Sequence, residues 1–179
     1  MTTNPEAAVP LLAVDLDGTV RWGKDELGRF VHGPDDVVIF PEAVEQIRRW
    51  KARGGRVIAV SNQGGIALGH TDMTMCSAAM MRTQQLCGYM FDKICWCSHY
   101  NSDAVKDPEM RYCWCRKPSP GLLIEGALEL AAKHGEYYPP HLGLFVGDRS
   151  EDEACAKLAG FPFQWASGWR AEVAKRGEP

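Results

Sequence analysis

The stretch VPLLAVDLDGT, residues 9–19, decides how the rest of the chain is read. Residues 9–14 form an apolar run of the length of one buried strand, and it breaks off at Asp15-Leu16-Asp17-Gly18-Thr19. Outward from there, short apolar runs alternate with amphipathic stretches, the pattern of a parallel sheet wrapped by helices. Residues 41–53 place Val44, Ile47 and Trp50 at helical spacing and stop at Gly54-Gly55. Residues 56–60 read as a second buried strand, and 71–86 as a helix with Thr71-Asp72 as its cap. A third strand is expected over 91–97, then a helix over 120–134 that opens at a proline and closes near Gly135. Residues 142–146 read as a strand, 150–159 as a helix and 161–165 as a last short strand. The expected fold class is α/β: a Rossmann-like three-layer α/β/α sandwich with a mostly parallel sheet.

Two segments fall outside the alternation. Residues 20–40 are long, mixed in polarity and glycine-rich, and are expected to form a hairpin flap; 98–117 make a polar loop bracketed by cysteine pairs. A chain of 179 residues with 45% hydrophobic content can bury one sizeable core, so one domain over 1–179 is expected. The net charge of −3, without any lysine or arginine run longer than two, offers no electrostatic reason for tight nucleic-acid binding. Met1 to Pro10 has neither a basic start nor an apolar stretch, and no apolar run reaches membrane-spanning length. The expectation is a cytoplasmic monomer that does not engage a membrane.

Three strand ends carry candidate chemistry: Asp15-Leu16-Asp17-Gly18-Thr19, Ser61-Asn62-Gln63-Gly64-Gly65 and Gly147-Asp148-Arg149-Ser150-Glu151-Asp152. In an open parallel sheet, the carboxyl ends of the strands face the ligand crevice, which would gather these distant segments at one edge. Carboxylates after two different strands suit magnesium, a hard cation that keeps waters and a substrate phosphate in its shell. One carboxylate could then attack phosphorus while the metal offsets the repulsion between anions, and a second could protonate the leaving oxygen. Ser61 can donate to the phosphoryl oxygens, and Lys117 can neutralise remaining charge.

Seven cysteines include two identical tripeptides, Cys95-Trp96-Cys97 and Cys113-Trp114-Cys115. Without a secretion signal, such cysteines are read as metal ligands or buried thiols before disulfides. Cys97, His99, Cys113 and Cys115 make a tetrahedral set suited to structural zinc. Cys95, Cys97 and His99 would share a face if the strand continues, so an all-cysteine set with Cys95 remains open on spacing. Cys76, Cys87 and Cys155 read as small core residues. Trp96 and Trp114 are expected to pack around the loop, Trp22 to pack half-buried, and His32, His70, His134 and His141 to lie at the surface or at caps.

The four segments resemble the ordered motifs of the haloacid dehalogenase superfamily of phosphatases: Asp15 to Thr19 the first, Ser61 the second, Lys117 the third, and Gly147-Asp148 with Asp152 the fourth. The resemblance implies that Asp15 forms an aspartyl-phosphate and that Asp17 serves as general acid, then base. It also implies that Asp15, the backbone carbonyl of Asp17 and the Asp148 side chain hold magnesium. Cys97-Ser98-His99 followed by Cys113-Trp114-Cys115-Arg116-Lys117-Pro118 resembles the zinc loop of the heptose bisphosphate phosphatase branch, which assigns zinc to Cys97, His99, Cys113 and Cys115 and leaves Cys95 out. Neither gap between motifs has room for a large cap, so a capless form with a flap over about 20–40 and a zinc loop over about 95–117 is implied.

The implied substrate is a small sugar phosphate or bisphosphate, with Asn62 and Arg116 as binding residues. A nucleic-acid 3′ end or nucleotide, histidinol phosphate, and a non-catalytic zinc-stabilised binding module are the alternatives. The aromatic end Phe161-Pro162-Phe163-Gln164-Trp165 and the length of the 20–40 insert depart from the heptose branch.

Overall fold

The computed structural model describes residues 7–24 and 30–175. The expected hairpin over 20–40 therefore lies partly outside the described residues. Nine strands occur among them: β1 (Ala7–Ala8), β2 (Leu11–Val14), β3 (Arg21–Gly23), β4 (Val37–Ile39), β5 (Arg56–Asn62), β6 (Lys93–Cys97), β7 (Glu136–Tyr137), β8 (Leu144–Gly147) and β9 (Phe163–Trp165). The helices are α1 (Pro41–Ala52), α2 (Met73–Leu86), α3 (Gly121–His134), α4 (Ser150–Leu158) and α5 (Ala166–Lys175).

The central sheet has five strands in the order β6-β5-β2-β8-β9, and every pairing in it is parallel. β2 lies in the middle because all four of its residues are fully buried apolar side chains, which only an inner strand covered on both faces can accommodate. Its alternation divides the core. Leu12 and Val14 join Ala43, Ile47, Met80 and Trp169 in one layer. Leu11 and Ala13 join Leu123, Leu130, Phe145 and Cys155 in the other. The result is the expected three-layer α/β/α arrangement, with α1, α2 and α5 on one side and α3 and α4 on the other.

Boundaries moved for identifiable reasons. Helix α2 starts at Met73 because Asp72 caps it, its side chain accepting from the Met75 amide at 2.8 Å. β8 starts at Leu144 rather than 142 because Pro140–Leu142 forms a 3-10 turn. β9 starts at Phe163, after Pro162, and β6 at Lys93. Helix α5 was not expected, yet Ala166 and Trp169 are buried in the core and Gln46 donates to the Trp169 carbonyl at 2.5 Å. The flap reading finds partial expression in β3 and β4, which pair antiparallel from Arg21–Ile39 to Gly23–Val37. Trp22 packs on Phe40 with ring centroids 4.3 Å apart, as expected. Trp96 packs on the core, but Trp114 is 55% exposed across the start of α3, so only one of the two tryptophans is a packing residue in the full sense.

At the opposite end of the sheet from the motif loops, Arg56 makes a two-point pair with Glu136 at 2.6 and 2.9 Å, and the Tyr138 hydroxyl donates to the same carboxylate at 2.6 Å. Those bonds, Arg56 first, hold Glu136 down to about 2 from the ordinary 4.5 against the opposing effect of burial. A carboxylate depressed on folding stabilises the native state above its unfolded value, and that contribution is lost as pH falls through the folded value. The stability gap between wild type and Glu136→Gln, read from urea midpoints, is therefore expected to be full above pH 4.5 and to close as pH falls towards 2.

Candidate active site

The first motif is a tight turn built on one carbonyl. The Asp15 amide continues the sheet by donating to Val146 O at 2.9 Å. The Leu16 carbonyl then accepts from the amides of Thr19, Val20 and Arg21 at 3.2, 2.9 and 3.0 Å. Gly18 sits in this turn at φ 91°, and a Cβ there would lie 2.1 Å from Asp148 Oδ2. Only glycine lets the loop after β8 bring its carboxylate against the loop after β2. From α5, Arg170 Nη1 donates to the Gly18 and Thr19 carbonyls at 2.8 and 2.7 Å while lying over the Phe40 ring.

Asp15, Asp148 and Asp152 offer oxygens within 4.8 Å of one another. Lys117 is buried among them. Its Nζ donates to Asp15 Oδ1 at 2.5 Å and to the Val60 carbonyl at 2.8 Å, and pairs with Asp152 Oδ1 at 2.6 Å. Asp152 Oδ2 meanwhile accepts the amides of Asp148 and Arg149 at 3.1 and 3.0 Å, fixing the start of α4. Asp152 is thus committed to Lys117 and the loop, which leaves Asp15 and Asp148 as the carboxylates available to a cation. Burial pushes Asp15 up to about 7; Lys117 opposes the rise, and Asp152 and Asp17 add to it. Burial also works against the charged ammonium of Lys117, but Asp15 and Asp152 outweigh it and hold the group above the ordinary lysine range. Carboxylates this crowded fit a divalent cation with oxygen ligands.

Ser61 and Asn62 end β5 beside Asp15. Asn62, expected to bind substrate, spends both ends of its amide on the Lys117 backbone, donating to the carbonyl and accepting from the amide at 3.0 Å each. It therefore holds the third motif in place. The Asp17 side chain stands apart from the carboxylate group. Arg21 Nε donates to its Oδ1 and Gln63 Nε2 to its Oδ2, both at 2.7 Å, and Gln63 also donates to Ser61 Oγ at 2.9 Å. Gln63, Arg21 and Arg170 were missed as site residues. Gln63 was findable, since residues 61 and 63 share a strand face. Arg170 comes from the unforeseen helix and had no sequence signal.

A narrow pocket lies against Asp15, Ser61 and Lys117, and a wider cleft of about 410 Å³ opens beside it. Asp17 lines both. The cleft wall includes Arg116, whose guanidinium stacks 4.8 Å over the Tyr100 ring and donates to the His99 carbonyl at 3.0 Å. Arg149 stacks 5.3 Å over Phe30 on the same cleft. His32 and His70 are at the surface, as expected, but they also line this cleft; His134 and His141 are exposed away from it.

Cys97, His99, Cys113 and Cys115 converge. Cys97 Sγ is 3.5 Å from Cys113 Sγ and 3.2 Å from Cys115 Sγ, and His99 Nδ1 is 3.4 Å from Cys97 Sγ and 3.6 Å from Cys115 Sγ. A disulfide needs about 2 Å between sulfurs. Ligands at about 2.3 Å from a tetrahedral zinc stand roughly 3.5–3.8 Å apart, so the set fits that metal. Cys95 faces Gly126 on α3 and is outside the group. The Arg116 amide donates to Cys113 Sγ at 3.3 Å, tying the cluster directly to the Arg116-Lys117 pair.

Fold and site together define a phosphatase of the haloacid dehalogenase type. No protein-family profile matches the chain. It is 30% identical over 152 residues to the D-glycero-beta-D-manno-heptose-1,7-bisphosphate 7-phosphatase of Pseudomonas aeruginosa, covering 82% of this chain and 75% of that protein. The protein of the same name from Photorhabdus laumondii is 29% identical over 154 residues, covering 84% and 76%. Among solved structures, the D,D-heptose 1,7-bisphosphate phosphatase of B. bronchiseptica, complexed with magnesium and phosphate, superposes with a TM-score of 0.67 at 25% identity, covering 96% of this chain and 89% of that one. The chain belongs to the haloacid dehalogenase superfamily of phosphatases, in the branch of the heptose bisphosphate phosphatases. Among the described residues, no helix is long and apolar enough to cross a membrane.

Gly18→Ala should drive its methyl into the Asp148 carboxylate and displace it. Phosphatase kcat is expected to fall by about 100-fold or more, as an ångström-scale misplacement does, with the melting temperature showing that the chain still folds.

Proposed function

We propose that the chain hydrolyses the phosphomonoester of a small sugar bisphosphate of the heptose bisphosphate kind, through an aspartyl-phosphate on Asp15. The observation that carries this reading is the position of Asp17 where the pocket at Asp15 meets the wider cleft. A phosphoryl group in the first and its alcohol in the second would put the bridging oxygen beside the Asp17 carboxyl.

Asp15 attacks phosphorus as the ester P–O bond breaks, and the Asp17 proton goes to the departing alkoxide. Water then attacks the phosphorus of the aspartyl-phosphate and gives its proton to Asp17. The Asp15–phosphorus bond breaks, and inorganic phosphate and the starting enzyme result. Lys117 and the Ser61 hydroxyl would stabilise the charge on the transferring oxygens. Asp15, the Asp17 carbonyl and Asp148 would hold Mg²⁺, which supplies charge neutralisation between the nucleophile and the phosphoryl group. Cys97, His99, Cys113 and Cys115 would hold a structural Zn²⁺ that closes the polar loop and seats Arg116 and Lys117. Arg116 and Arg149, backed by aromatic rings on the cleft wall, suit a substrate that carries a second anionic group. The named relatives support this substrate class.

Phosphate release from heptose bisphosphates, other sugar phosphates, histidinol phosphate, nucleotides and a 3′-phosphorylated oligonucleotide tests the reading. Fastest release from a sugar bisphosphate is expected, stopped by EDTA and restored by magnesium, and absent in Asp15→Asn. Equal release by Asp15→Asn would refute the nucleophile, and preference for the oligonucleotide would refute the substrate class.

Zinc is tested separately. Cys113→Ala is expected to lose the bound zinc seen by elemental analysis, to melt earlier and to lose turnover. Full turnover in a zinc-free Cys113→Ala protein would contradict the assigned role.

A further inference from the structure

Arg21 stands where the strand pattern calls for an apolar residue. It lies on β3, its relative exposure is 0%, and it is the largest fully buried side chain among the described residues. Besides its bond to Asp17, Nη1 donates to Thr83 Oγ1 at 2.7 Å and to the Ala79 carbonyl at 3.2 Å, both on α2. Nη2 has no hydrogen-bond acceptor among the described residues. A guanidinium sealed from water with one nitrogen unpaired is costly to retain, and apolar residues often replace such buried ions without loss of stability. The position therefore calls for a functional explanation.

The geometry around Asp17 supplies one. A carboxyl acting as acid and then base gives and takes its proton at one oxygen. Guanidinium is a donor that proteins do not deprotonate, so donation by Arg21 Nε to Asp17 Oδ1 favours the unprotonated form of that oxygen and disfavours a proton on it. Oδ2 faces Gln63, whose amide has both a donor and an acceptor; a half-turn lets it accept from a protonated Oδ2. We propose that Arg21 is a positioning residue for acid–base catalysis: anchored to α2, it reserves Oδ1 of Asp17 as the unprotonated oxygen and leaves Oδ2 to exchange the proton. This rests on the role given to Asp17 above. Oδ2 gives its proton to the leaving alkoxide as the ester bond breaks and receives one from the attacking water as the aspartyl-phosphate opens. Protons balance over the cycle without any further reactant.

Acid assistance matters for a poor leaving group and little for a good one, which separates this role from a structural one. The readout is first-turnover release of the leaving group, by rapid quench, from an alkyl sugar phosphate and from p-nitrophenyl phosphate. Asp17→Asn is expected to lower the alkyl-to-aryl ratio by about 100-fold or more, and Arg21→Met to lower it by about 10-fold or more, part of that same effect. Arg21→Lys, which keeps the charge, should recover part of the ratio, and Arg21→Met added to Asp17→Asn should lower it no further. Where Arg21→Met does not fold, Thr83→Val removes the anchor and should lower the ratio in the same direction. If Asp17→Asn leaves the ratio at the wild-type value, the acid–base reading itself fails. If Asp17→Asn lowers it but Arg21→Met or Thr83→Val slows both substrates in parallel or neither, only the role of Arg21 is overturned.

Discussion

The ammonium of Lys117 holds the site together. It is buried between Asp15 and Asp152 and donates its remaining bond to the end of β5. Removing one partner from such a cluster leaves an uncompensated buried charge and costs about 3–5 kcal/mol, so each of the three constrains the other two. Through Asp152 the ammonium reaches the start of α4 and the loop that carries Asp148. Through the Lys117 backbone, Asn62 binds it to the second motif. The loops after β2, β5 and β8 thus meet the segment before α3 at one charged point.

The cysteine cluster acts on that point from outside. Residues between β6 and α3 carry little apolar surface to bury, with only Val105 of the loop in the core among the described residues. With the proposed metal bound, its four ligands would take the place of the missing core, and the Arg116 amide bonded to Cys113 Sγ would pass the constraint to the next two residues. One of those is the cleft-wall guanidinium and the other the buried ammonium. On that proposal, ordering of the loop and placement of charge are one event.

Most of this was legible where a single residue type has a single physical use. The apolar run before Asp15, the alternation of strands and helices, and the cysteine–histidine spacing all translated into observed elements because burial and ligand geometry leave few alternatives. The failures lie where a residue's partner is distant in sequence. Nothing local shows that the Asn62 amide, which also lines the cleft, pairs with a backbone 55 positions away. Arg21 gave no warning of being buried, since its acceptors on α2 lie about 60 residues further on. Helix α5 was overlooked because Gly168 and a polar face mask the buried Ala166 and Trp169, and with it went Arg170 on the first motif.

The proposed mechanism depends on Asp15 as the nucleophile that bonds to phosphorus. Its most direct test is acid quenching during turnover of a ³²P-labelled sugar phosphate, followed by peptide mapping. An aspartyl-phosphate on Asp15 predicts acid-stable, hydroxylamine-labile label on the peptide that contains it. Rapid phosphate release with no label on the chain, or label on another residue, would contradict it.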